Sequence, residues 1–98
     1  MSATRIIKRR VIVAADAFAE IVVWQLSRPL EGSTHPFKYR LAYIVAGSCV
    51  LRYDNERGKG DHRHMATTEL PYRFESPEQL MRDFLADVQR WNHDHGHT

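Results

Sequence analysis

Short runs of β-forming apolar residues, broken by charged and turn residues, fill the first 75 positions, and a helical repeat begins only after Ser76. Period-two stretches predict strands with one face turned to a core, and a 3.6-residue stripe predicts an amphipathic helix. Arg5 to Ala14 reads as a first strand built on Ile6, Ile7, Val11, Ile12 and Val13, interrupted by Lys8-Arg9-Arg10. Such a charge run suits an edge strand, where charge discourages unwanted pairing. Ala15-Asp16-Ala17 is a reversal. Phe18 to Ser27 is a second strand, apolar on both faces in its middle and so placed centrally. Pro29, Gly32, Ser33 and Pro36 mark a loop over 28–36.

Phe37 to Ala46 is a third strand, and Cys49 to Asn55 returns as a fourth. Gly47-Ser48 between them fits a type II′ turn. That turn would set Arg40 opposite Asn55 and Ala42 opposite Tyr53. Arg40, Tyr53 and Asn55 would then share one face, and Arg52, Asp54, Leu41 and Tyr43 the other. A slip of one residue would exchange the faces. After a loop over 56–61, His62 to Thr67 is a short fifth strand, and Thr68 to Glu75 is irregular. Ser76-Pro-Glu-Gln79 is a helix start, with serine as N-cap and proline in the first turn. Leu80, Met81, Phe84, Leu85, Val88 and Trp91 form its apolar stripe to about Asn92, with Asp83 and Asp87 mostly off it. Trp24, Phe84 and Trp91 are assigned to the core, as are Tyr39, Tyr43 and Tyr53 in preference to base stacking. The fold expected is α+β: a four- to five-stranded antiparallel meander with one C-terminal helix packed on the sheet. It makes a single domain, ordered over about 5–92, with a flexible tail holding His93, His95 and His97.

Composition narrows the class without changing this picture. Hydrophobic content of 43% and charge of 27% are those of a globular chain. No apolar run approaches the roughly 20 residues of a membrane helix, and the N-terminus lacks a signal-peptide core. The single Cys49 excludes an internal disulfide and fits a reducing, cytoplasmic setting. Net charge is +2, but residues 1–64 carry 11 Lys/Arg against 6 Asp/Glu, whereas residues 65–98 carry 3 against 6. The basic part permits a polyanionic ligand near the sheet.

The basic part also holds the candidate chemistry, between Leu51 and His64. His62 and His64 lie i, i+2, so on a strand both imidazoles point to one side, about 6.6 Å apart. One can take a proton from a ribose 2′-hydroxyl while the other protonates the leaving oxygen. Two other readings stay open: an edge strand with incidental histidines, and a metal site in which His-x-His joins Asp54 or Asp61. Arg52 can grip a phosphate and Asp54 can orient a histidine; as a bare i, i+2 pair they are only a surface ion pair. Asn55 can support an oxyanion or simply serve the turn. Arg40, Arg57, Lys59 and Arg63 are candidate phosphate-backbone contacts. No cofactor is expected.

These residues resemble the TumE-type family of small toxins from type II toxin–antitoxin pairs. The resemblance rests on Lys38-Tyr-Arg-Leu-Ala-Tyr43, Arg52-Tyr-Asp-Asn55, the basic loop leading to His62-Arg-His64, and the closing Ser-Pro-Glu-Gln helix. It spans residues 5–92. The loop Glu56-Arg-Gly-Lys-Gly60 departs from the family pattern in lacking extra histidines and prolines. The resemblance implies a growth-inhibiting toxin, silenced by a cognate antitoxin and acting as a small ribonuclease on RNA. Its site would be His62, His64, Arg52, Asp54 and Asn55. A non-catalytic RNA- or protein-binding module is the alternative, and a homo-oligomer stays open.

Overall fold

In a computed structural model of the chain, residues 3–56 and 58–96 are described. Six strands precede one helix: β1 (Ala3–Ala14), β2 (Ala17–Leu26), β3 (Phe37–Val45), β4 (Ser48–Glu56), β5 (Gly60–Met65), β6 (Thr68–Pro71) and α1 (Pro77–Asp94). The strands form one antiparallel meander in sequence order. The α+β class and the antiparallel sheet are as the sequence predicts, with a sixth strand in place of the irregular segment after Thr67. A two-residue turn at Ala66-Thr67 sends Thr68–Pro71 back along β5, pairing His64 with Glu69 and His62 with Pro71. Proline is tolerated there because β6 is an edge strand that need not donate outward.

The β3–β4 register departs from expectation by one residue. Ala46 and Gly47, with φ of 50° and 81°, form the turn. Positive φ at both central residues is the type I′ pattern, whose twist matches the flanking strands. Val45 therefore faces Ser48 and Ile44 faces Cys49. Past an irregularity that leaves Val50 with no facing residue on β3, Tyr43 faces Leu51, Ala42 faces Arg52, Leu41 faces Tyr53 and Arg40 faces Asp54. Arg40 thus joins Arg52 and Asp54 on one face. Tyr53 and Asn55 go to the other with Leu41 and Tyr43, reversing the expected partition.

That second face is the one α1 covers. Ser76 caps the helix, its Oγ accepting the Gln79 N–H at 3.1 Å, and Pro77 occupies the first turn. Leu80, Phe84 and Val88 are buried against Ile21, Val23, Leu41, Leu51 and the three tyrosines. Each large apolar side chain buried this way contributes about 1.5–3 kcal/mol, as an upper estimate. Asp87 and Asn92, expected off the stripe or at its end, are also buried: Asp87 accepts from the Tyr53 hydroxyl, and Asn92 Oδ1 from Tyr43 at 2.6 Å. Leu85, expected in the stripe, is exposed.

Trp24 departs from its core assignment. It is half-buried on the uncovered face beside Arg5, whose guanidinium lies 5.8 Å from the ring centroid. The loop after β2 meets the hairpin loop after β4 at two glycines. Gly58 N–H donates to Glu31 C=O at 2.7 Å, and a Cβ on Gly32 would sit 3.2 Å from Gly58 Cα. With φ of +84° as well, Gly32 is the residue that lets the two loops touch.

Candidate functional site

Strand alternation and the observed register place five candidate residues on the uncovered face, Arg40 on β3, two on β4 and two on β5. Arg52 stands directly opposite His64, and Asp54 opposite His62. Side chains in such cross-strand pairs come within contact range. Arg52 Nε lies 3.0 Å from Asp54 Oδ2, and Arg52 Nη2 lies 3.2 Å from His64 Nε2. The Arg52–Asp54 contact is an ion pair without hydrogen-bond alignment, since the buried Nε–H has no aligned acceptor. Asp54 Oδ1 is 3.7 Å from the same His64 nitrogen, and Glu69 Oε1 on β6 is 3.5 Å from His62 Nε2.

Arginine only donates. His64 Nε2 therefore accepts from Arg52 only when the ring proton sits on Nδ1. His62 Nε2 faces the Glu69 carboxylate instead. The two histidines thus differ in their neighbours although they share a strand. Each keeps about a quarter of its side-chain surface open, 23% for His62 and 24% for His64, and Arg52 keeps 36%. A shallow depression of about 350 Å³ lies alongside, bordered by Lys38, Arg40, Arg52 and Asp54.

The remaining candidates separate. Arg40 is exposed on the same face, directly opposite Asp54. Lys59 lies in the loop and pairs with Glu56 at 3.4 Å. Arg57 falls outside the described residues. Arg63 alternates to the helix side, where Nη1 is 3.4 Å from Asp87 Oδ2 and beside the Tyr53 hydroxyl. The hydrogen bond to Tyr53 holds its guanidinium more firmly protonated than usual. Asn55 is 2% exposed and also on the helix side. Its Oδ1 accepts the Tyr39 N–H at 2.9 Å and its Nδ2 donates to Phe37 C=O at 2.7 Å, so it extends the β3–β4 ladder by side chain. Neither Arg63 nor Asn55 reaches the His62–His64 cluster from there.

Asp61 is likewise on the covered side, so it cannot join His62 and His64 around a metal. Its Oδ2 accepts from Tyr39 at 2.6 Å and meets His35 Nε2 at 2.8 Å. Among the described residues, no three His, Cys, Asp or Glu side chains gather as a metal site. Sequence reasoning missed Glu69 and His35. Glu69 needed β6 and its register, and His35 sits in a loop whose pattern carried no periodicity.

Burial, then a hydrogen bond to an aspartate, raises three tyrosine hydroxyls on the covered side well above their ordinary value: Tyr39 on Asp61, Tyr53 on Asp87 and Tyr72 on Asp83. Among the described residues, no helix is long and apolar enough to cross a membrane. No curated protein and no solved structure is significantly similar to the chain. The family model described as Toxin TumE matches residues 2–92 of the 98, and the chain belongs to that toxin family.

Proposed function

We propose that this toxin inhibits growth by cutting RNA without a metal, and that a cognate antitoxin partner silences it. The observation that carries this reading is the cross-strand cell on the uncovered face, where two imidazoles, a guanidinium and a carboxylate occupy facing positions of β4 and β5 beside a shallow depression. His64, with its Nε2 lone pair presented, takes the proton of a ribose 2′-hydroxyl. The 2′-oxygen attacks phosphorus, and the bond to the 5′-oxygen breaks. His62, beside Glu69, gives its proton to that oxygen. Arg52 shifts its donors from Asp54 and His64 to the phosphate as negative charge builds on it, and Asp54 holds the cluster in place. The product is a 2′,3′-cyclic phosphate and a 5′-hydroxyl, with both histidines exchanged in protonation.

The test is turnover on excess RNA by substoichiometric protein, in chelator. The expected products carry 2′,3′-cyclic or 3′-phosphate ends, and a 2′-deoxy linkage at the cut site resists. Stoichiometric binding with no fragments across about pH 5 to 8 would instead leave a non-catalytic binding module. Loss of activity in EDTA, restored by one divalent ion, would favour the metal reading.

A further inference from the structure

The Lys8-Arg9-Arg10 run is not used by the cell of four residues, yet the register carries it into the same face. One row of directly facing residues crosses five strands as Lys8, Val22, Arg40, Asp54 and His62. The next row crosses as Arg10, Glu20, Ala42, Arg52 and His64. A third, shorter row sets Arg5 beside Trp24 and Trp24 beside Lys38. Strands lie about 4.8 Å apart, so β1 is about 19 Å from the histidines across an uncovered surface. The rows place six fixed cations there, Arg5, Lys8, Arg10, Lys38, Arg40 and Arg52, against the carboxylates of Glu20, Asp54 and Glu69.

Two of these cations lie over aromatic rings on the same face. Arg10 is 4.0 Å from the centroid of Phe18, and Arg5 is 5.8 Å from that of Trp24. A guanidinium spread on a ring is held flat and keeps its outer plane free, and both ring and guanidinium planes stack unpaired bases. Arg9 is the odd member of the run. It faces Ile21 and so belongs to the helix side.

We propose that the uncovered face of β1–β3 is a binding track for single-stranded RNA that feeds the His62–His64 cell. This rests on the ribonuclease reading for what happens at the end of the track, but the binding itself does not. The face is open, with only shallow depressions beside Lys38, Arg40 and Arg52 and beside Lys8 and Arg10 among the described residues, so it offers phosphates a row of cations and bases a set of planes. In-line attack by a 2′-hydroxyl also needs a strand free to leave helical geometry. The track spans several nucleotides, within the ~4–16 that a single-strand-binding surface covers.

Binding is tested on the full chain carrying His64→Ala, so that no outcome depends on cleavage. The probe is a fluorescein-labelled 12-nucleotide oligouridylate, with an RNA duplex of the same length as comparator, read by anisotropy over a salt series. Lys8→Ala with Arg10→Ala should weaken the single strand at least tenfold. It should also flatten the slope of log affinity against log salt by about 1.4, if each cation neutralises one phosphate at ~0.7 apiece. Arg9→Ala, one residue away on the other side, should leave that slope as it was. Equal loss in both variants would mean diffuse charge attraction and overturn the track. So would an unchanged Lys8/Arg10 variant, or a duplex bound as tightly as the single strand. In the protein with His64 intact, the 12-mer should be cut with a kcat/KM at least tenfold above that of a dinucleotide. Equal efficiency would sink the track while sparing the nuclease reading. Absence of any cutting would sink the nuclease reading while the anisotropy result stands.

Discussion

His35 and His64 are the same side chain on opposite faces of one sheet, and their surroundings differ in kind. On the helix side, His35 Nδ1 accepts the Phe37 N–H at 3.2 Å, Nε2 meets Asp61 at 2.8 Å, and the ring stacks 3.9 Å from Phe74. Both nitrogens and one ring face are committed. Tyr39, Tyr53 and Tyr72 on the same side of the sheet are committed in the same way, each to one aspartate. Among the described residues, His64 meets an arginine and a more distant carboxylate, on the face of the sheet opposite the helix. A buried polar group must be satisfied by fixed partners or it destabilises the fold. A half-open one can exchange its partner for a substrate. The covered face therefore uses polar chemistry to hold the helix and loops, and the uncovered face leaves the same residue types available to react.

The largest effect expected from that contrast is on turnover. His64→Ala or His62→Ala should lower RNA cleavage by about 10²–10⁴, the usual worth of a positioned acid or base. Both should relieve growth inhibition and leave stability within about 0.5 kcal/mol, as for surface substitutions away from caps and cores. Urea titration followed by circular dichroism is the companion measurement. If either variant unfolds at markedly lower urea, its imidazole belongs to the structural set and the contrast collapses.

Asn55→Ala should do the opposite. It strips partners from the Tyr39 N–H and the Phe37 C=O, at about 1–3 kcal/mol for each group left unsatisfied. Cleavage per folded molecule should persist at a temperature where the variant remains folded. A stable Asn55→Ala protein without activity would return Asn55 to the catalytic set that the family resemblance implies.

High pH should act on the covered face. Burial and a neighbouring carboxylate hold the hydroxyls of Tyr39, Tyr53 and Tyr72 above the free value near 10. Their contribution is fully present below that pH. Above it, the unfolded chain releases these protons while the folded chain retains them, so stability falls as pH rises. The urea midpoint should decline from about pH 10 upward, and less steeply in Tyr39→Phe. A midpoint flat to pH 11 would mean that these hydroxyls are not held protonated by the fold.

Much of this division was legible in the sequence, and what was not has a local cause. The helix was readable because Ser76-Pro77 and the spacing of Leu80, Phe84 and Val88 are sufficient signals by themselves. The His62–His64 alternation was readable because it depends on strand geometry alone. The partition of faces was not, because it hung on which two residues make the turn after β3. Gly47 fits the first position of a type II′ turn or the second of a type I′, and only Ala46 adopting positive φ decides between them. That one residue moved Arg40 onto the reactive face, whereas Asn55 alternates away from Arg52 and Asp54 in either register. Asp87 was misjudged for a related reason. A polar residue beside an apolar stripe reads as solvent-facing unless the tyrosine hydroxyl that will reach it is known.

The smallest effect expected is at Glu69, and it tests how far the uncovered cell extends. Glu69 is 55% exposed and 3.5 Å from His62, the geometry of a surface pair worth about 0–1 kcal/mol. Glu69→Gln keeps the size and removes the charge. Cleavage should therefore fall by no more than about fivefold at low salt, since 1 kcal/mol corresponds to that factor. The deficit should shrink as salt screens the pair in the parent protein. Stability should not move measurably. A hundredfold loss would make Glu69 as much a part of the machinery as Asp54, and β6 would then belong to the site as a working element. No loss at any salt would confine the chemistry to β4 and β5.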